Sequence, residues 1–205
     1  MPRAAVGLGK TVVVCATGAS GARLAGRFLH HFLAHPSAGR VHFIPSRAFA
    51  LVLREEEGVD LNAFLKPFAK NRKLEVHAEY DLGAPVAAGS YPVDGTVVIP
   101  ASMATLGAVA SGAGRDLVHR ACDVALKEGR PLILVPRETP LSLVHLRNLV
   151  TLKEAGATIA PFMPAFYQKP ATVEDVMDHF LMRIFDLLGL EMELGKRWGK
   201  GAVSE

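Results

Sequence analysis

Three residues in the second half of the chain have the types and spacing to meet an anion. Arg120, Asp123 and Lys127 recur at i, i+3 and i+7, which places them along one face of a helix. A solvated helix face explains that spacing by itself. However, Arg137, Glu138 and Thr139 close the next apolar run, so cations arrive from two elements and an anion pocket becomes the sharper reading. Further on, Arg183 falls on a stripe with Val176, Phe180 and Leu187. A guanidinium on an apolar stripe needs a carboxylate or a bound anion, unless it snorkels to water, because an unpaired buried charge costs several kcal/mol. Tyr167 ends the rigid apolar loop Pro161-Phe162-Met163-Pro164-Ala165-Phe166-Tyr167, where its hydroxyl is placed to reach the same anion.

The second constellation is Gly18-Ala19-Ser20-Gly21-Ala22, which follows an apolar β-branched run and opens an amphipathic one. Backbone N–H groups at the start of a helix suit a phosphate. The stretch is neither GxGxxG nor a lysine-bearing phosphate loop, so a plain tight turn competes with that reading. A mononucleotide fits better than a dinucleotide, since no acidic residue marks the end of the second strand.

Other apparent motifs dissolve. Gly9-Lys10-Thr11 imitates the end of a triphosphate loop, but it precedes the strand it should follow, and Ala4 stands where the first glycine is required. His31 and His35 lie four apart without the glutamate of HExxH, and read as a solvated helix end. Cys15 and Cys122 form no CxxC pair and read as core residues of a protein in a reducing compartment. No metal ligand set is expected.

The elements that must position these residues alternate. Strands are expected at 11–16, 41–45, 73–78, 96–99, 132–135 and 158–160, and helices from Ala22 through Leu33, from Ser46 towards Glu57, and over 60–69, 116–128, 143–155 and 173–188. Ser102 to Thr105 reads as a polar turn after the fourth strand. Such alternation predicts an α/β fold of Rossmann-like type, a doubly wound parallel sheet in three α/β/α layers, with ligands at the carboxyl ends of the strands.

With 205 residues, 50% of them hydrophobic, the chain has enough material for one domain, expected over 11–190 between a flexible tail at 1–10 and an extension at 191–205. A net charge of +3 spread along the chain argues against a nucleic-acid surface. No apolar run is long enough to span a membrane, and neither a signal peptide nor a repeat is apparent, so a cytoplasmic location is expected.

From 11 to 200 the chain resembles the UbiX-type flavin prenyltransferases. The resemblance is carried by TGASGA from Thr17, ASMATL from Ala101, RACDVALKE from Arg120, PRETPL from Pro136, GATIAPFMPAFYQKP from Gly156, and Arg197-Trp198. It implies reduced FMN as prenyl acceptor, dimethylallyl phosphate as donor, no metal, and a homo-oligomer, typically a dodecamer, with sites shared between subunits. The FMN contacts it implies are Gly18, Ala19, Ser20, Ser46, Ser102, Met103, Ala104, Thr105 and Arg137. Arg120, Lys127, Glu138, Tyr167 and Arg183 match the prenyl-phosphate site. Ser20, Glu56, Lys127 and Glu138 match the catalytic positions, with Glu55 and Glu57 adjacent to the glutamate that fits best. The product would serve a UbiD-type decarboxylase.

Three positions depart from the family pattern: Leu82 where some relatives carry tryptophan, Gly129 in place of an arginine, and Arg115-Asp116 in place of a more neutral pair. Two other classes compete. An FMN-dependent cysteine decarboxylase would need a histidine after the first helix and an Asn/Met-rich loop, where this chain has Glu56 and Ser102 to Thr105. A non-catalytic flavin store would bind FMN without needing Lys127 or Arg183.

Overall fold

A computed structural model describes residues 9–197. The chain divides into two compact units, Met1–Pro161 and Phe162–Glu205. The first holds a six-stranded sheet made of β1 (Lys10–Ala16), β2 (Ala38–Pro45), β3 (Leu74–Val76), β4 (Gly95–Ala101), β5 (Leu132–Pro136) and β6 (Thr158–Ile159). Every pair is parallel, in the order β3-β2-β1-β4-β5-β6. The central strands are apolar on both faces, as a sheet covered on both sides requires, and Val12 to Ala16 and Val97 to Ile99 are essentially inaccessible.

The helices of this unit are α1 (Ala22–Ala34), α2 (Arg47–Glu57), α3 (Leu61–Leu65), α4 (Met103–Ala110), α5 (Leu117–Lys127) and α6 (Leu143–Glu154). Strand alternation splits the core. Val13, Cys15, Ile44 and Val98 join one cluster with Leu106 of α4 and Leu117, Val118, Ala121 and Cys122 of α5. Phe43 points the other way, 6.1 Å from Phe49 of α2 between ring centroids, and Phe49 stacks edge-on with Phe64 of α3 at 5.6 Å. The expected doubly wound α/β sheet is therefore what the chain builds.

Two expectations need correction. The polar turn at Ser102 to Thr105 is the N-cap and first turn of α4, with the Ser102 hydroxyl accepting from Thr105 N–H. The small residues of MATLGAVA give no amphipathic stripe, and so the helix left no periodic trace. The expected helix at 60–69 is only α3 followed by a single 3-10 turn over Lys66–Phe68. Pro67 removes an amide from the ladder there.

In the second unit, α7 (Val173–Leu187) is opened by a capping box, with the Thr172 hydroxyl accepting from Asp175 N–H while the Asp175 carboxylate accepts from Thr172 N–H. Its buried stripe is Met177, Phe180, Leu181, Ile184 and Phe185. Arg183 lies off that stripe, with its side chain 63% exposed, so it does not share the apolar face expected for it.

Candidate active site

Strand order reverses between β1 and β4, so the loops leaving these strands part and open a crevice at the carboxyl end of the sheet. Thr17 ties the two sides together. Its hydroxyl donates to Pro100 O at 3.0 Å and accepts from Ser102 N–H at 2.8 Å, and its amide donates to Pro100 O. Ser102 in turn exchanges a hydroxyl bond with Thr105 at 3.0 Å. Gly18 sits against the first turn of α2, where an added Cβ would meet the Ala48 Cβ at 2.5 Å. That approach is open only to glycine. Ser46 caps α2 by accepting from Phe49 N–H at 3.0 Å.

Glu56 reaches across from α2 to the start of α1. Its Oε2 accepts from Gly21 N–H and Ala22 N–H, both at 3.0 Å, and it is hydrogen-bonded to Ser20. Burial works to raise its pKa, but the Ser20 hydroxyl, the two amides and the Arg137 charge outweigh burial and hold it below the usual carboxylate value. The adjacent glutamate, Glu57, is spent on Arg23 at 3.1 Å, and Glu55 is exposed. Of the three adjacent glutamates, helix phase brings Glu56 to the Ser20 loop. This also revises the reading of that loop as a phosphate seat. The amides that open α1 already hold an anion, the chain's own carboxylate.

Helix α2 is similarly engaged, since Arg47 N–H donates to Glu79 at 2.9 Å. Helix α4 has neutral hydroxyls at its start and no acidic residue in its first turn. The crevice therefore offers amides, the Ser46 and Ser102 hydroxyls, the Glu56 carboxylate and the Arg137 cation.

The residues expected to hold a second anion are each engaged with neighbours of their own. Arg120 lines a cavity of about 290 Å³ with Leu82, Asp116, His119 and Asp123. Its Nε donates to Ala87 O at 2.9 Å and its Nη1 to Asp123 at 2.6 Å. Lys127 pairs with Glu128, and Glu138 turns back to accept from Thr139 N–H at 3.0 Å. In the second unit, Tyr167 Oη lies 3.3 Å from His179 Nε2, and Arg183 donates to Asp186 at 2.9 Å. Arg197 grips both oxygens of Asp186 at 2.7 and 2.8 Å, whereas Trp198 lies outside the described residues. A carboxylate at i+3, invisible to the stripe argument, is what meets Arg183.

Two departures acquire physical reasons. Gly129 has φ +62° just after α5, the left-handed turn that ends a helix and suits glycine. Asp116 caps α5, accepting from His119 N–H at 2.9 Å. Leu82 is 54% exposed and lines the Arg120 cavity. Cys15 and Cys122 are fully buried, as expected, and burial pushes Cys122 up to about 12. His35 accepts from Ser37 N–H in the turn after α1.

Sequence reasoning missed one cluster altogether. His42 Nδ1 lies 2.9 Å from His77 Nε2, His42 Nε2 lies 3.0 Å from Tyr91 Oη, and Glu75 approaches both rings to 3.7 Å. Burial, opposed by Glu75 and helped by His77 and Arg40, lowers His42 to about 4, so it is neutral at physiological pH. The i, i+2 spacing of Glu75 and His77 on a short strand was the available signal, and it needs the β2–β3 register to gain meaning.

Residues 7–184 match the family described as Flavoprotein. The chain is 41% identical over 198 residues to a flavin prenyltransferase UbiX of Pseudomonas aeruginosa, covering 92% of this chain and 94% of that one. It is 39% identical over 208 residues to a flavin prenyltransferase UbiX of Synechocystis, covering 97% and 100%. Among solved structures, AnUbiX in complex with FMN and dimethylallyl pyrophosphate superposes with a TM-score of 0.84 at 38% identity, covering 93% and 98%. A dodecameric FMN-dependent UbiX-like decarboxylase of Escherichia coli O157:H7 gives a TM-score of 0.85 at 38% identity, covering 92% and 98%.

Proposed function

The chain belongs to the flavoprotein family, among its UbiX flavin prenyltransferases, and on that premise we propose that it transfers a dimethylallyl group from a dimethylallyl phosphate ester to reduced FMN. The observation that carries the proposal is local. Glu56 is fixed on the Ser20 loop beside Arg137, at the crevice where a sheet of this order takes its ligand. Gly18 lets its loop pack closely on the start of α2, and the Ser46 and Ser102 hydroxyls cap the helices that open at the crevice, so the residues present fit a flavin mononucleotide.

Bound and reduced, the flavin supplies two nucleophilic positions, N5 and C6. Gly18, Ala19, Ser20, Ser46, Ser102 to Thr105 and Arg137 hold and orient it. Arg120, Lys127 and Arg183, with the Tyr167 hydroxyl, take the departing phosphate and stabilise its growing charge. Ionised Glu56, steadied by Ser20, accepts the proton released from C6, and Glu138 positions the cations around the phosphate. The Arg120, Lys127 and Arg183 guanidinium and ammonium groups now rest on Asp123, Glu128 and Asp186. Each must exchange a carboxylate partner for phosphate. The side chains of Arg120 and Arg183 are 40% and 63% exposed, so that exchange costs little.

We further assign the active form to a homo-oligomer, on the model of the dodecameric relative, and the product to a UbiD-type decarboxylase. Leu143, Val144, Leu146 and Val150 of α6 are 46–64% exposed, and Leu152 is the helix's buried residue. An apolar row of this kind marks an interface. Among the described residues no helix is long and apolar enough to cross a membrane, and the two buried thiols suit the reducing cytoplasm.

The test is anaerobic incubation with reduced FMN and dimethylallyl monophosphate or diphosphate, followed by mass spectrometry of the flavin. A flavin heavier by one isoprene unit is expected, and unchanged mass with both donors refutes the assignment. Arg183→Ala should retain FMN binding and lose about 100-fold or more in turnover. Turnover indifferent to that change would instead describe a flavin store.

A further inference from the structure

Strands β2 and β3 pair in parallel with His42 opposite Glu75, and the ladder continues one residue further through His77 N–H to Phe43 O at 2.9 Å. Strand alternation then puts Glu75 and His77 on the same face as His42. We propose that His42, Glu75 and His77 form a binding site for a divalent transition ion of the zinc class, with Tyr91 orienting His42 from outside. None of these four residues is among those assigned to the flavin or to the prenyl phosphate.

The geometry is that of a three-ligand site. His42 Nδ1 and His77 Nε2 lie 2.9 Å apart, Glu75 Oε2 is 3.7 Å from the first and Glu75 Oε1 3.7 Å from the second, and one ligand atom from each of the three residues lies within 4.8 Å of the others. Zinc bonds of about 2.0–2.2 Å at tetrahedral angles set ligand atoms about 3.3 Å apart, so the two rings must part slightly and the half-exposed Glu75 carboxylate must turn one oxygen inward to complete the site. Two imidazoles and one carboxylate are a donor set that zinc accepts, with a fourth position left for water.

The outer partner is already in place. His42 Nε2 faces the Tyr91 hydroxyl, and a proton held there as Nε2–H···Oη leaves the Nδ1 lone pair aimed at His77 and Glu75. Both rings are buried, at 0% and 6% side-chain exposure, while Glu75 at 40% gives the ion a way in from solvent. One group competes: Arg40 Nη1 donates to Glu75 Oε2 at 3.2 Å and must release it when a cation enters. Its side chain is 53% exposed and free to swing away.

The experiment uses the full chain, prepared without a polyhistidine tag and stripped with a chelator. Zinc is titrated against a chromophoric chelator, and cobalt is added separately to read the visible absorption of a four-coordinate site. One equivalent of zinc should bind and raise the melting temperature. Tyr91→Phe, which leaves the fold intact, should weaken binding by about 10- to 100-fold. Arg40→Ala should tighten it by about two- to fivefold, the strength of one exposed ion pair. His77→Asn should abolish the cobalt spectrum. Failure of the wild-type chain to take up zinc, or equal uptake by His77→Asn, overturns the proposal; the latter would shift the ligands to the surface histidines His30, His31 and His35. None of these readouts depends on prenyl transfer, so the site and the enzyme assignment stand or fall separately.

Discussion

Glu56 joins two kinds of work in one carboxylate. It closes the amides at the start of α1, and it stands on the Ser20 loop, where the proposed reaction would hand it a proton. Its pKa in the fold is lowered from 4.5. The stability this contributes is fully present above the unfolded value and is lost as pH falls through the lower folded one. Glu56→Gln should therefore flatten the loss of stability on acidification below about pH 5, read as the urea midpoint against pH. An acid limb identical to wild type would rule out the lowered carboxyl. At neutral pH the same variant should keep FMN binding and lose about 100-fold or more in single-turnover prenyl transfer. The residue types were legible in the sequence, and so was the run of three glutamates. Which one reaches the Ser20 loop was not, because one step along a helix turns a side chain by about 100°.

The helix ends carry the site. Helices α2 and α4 begin at the carboxyl end of the sheet because each follows a parallel strand, and their serine caps deliver hydroxyls there. Helix α5 must then stop before β5 can begin, and Gly129 at φ +62° stops it. Restoring an arginine as Gly129→Arg should cost about 1 kcal/mol, the strain of a side chain in the left-handed region, measured by chemical denaturation with FMN affinity unchanged. A stability equal to wild type would show that the turn relaxes. At this scale the sequence spoke clearly where hydrophobic period was strong, as in β1 and α1. It was silent for α4, whose small residues give no stripe, and misleading for α7, where Phe180 is buried but Leu187, assigned to the same apolar face, is 43% exposed.

For the whole molecule, the apolar row on α6 matters most. Placing charge there, as Leu143→Asp with Val144→Asp, should break the assembly into smaller species by sedimentation and lower turnover, while the far-ultraviolet signature of the fold persists. An unchanged sedimentation coefficient would remove α6 from the interface. The sequence by itself determined the class of the sheet, the order of its elements, the Gly18 loop, the buried cysteines and the family, because periodicity, chain order and motif are local or linear properties. Only the tertiary structure decided that Glu56 fills the start of α1, that Asp186 answers Arg183, and that His42 meets Glu75 and His77. Each of these turns on which side chains face one another across elements, and such facing is set by strand register and helix phase, which no single stretch of sequence contains.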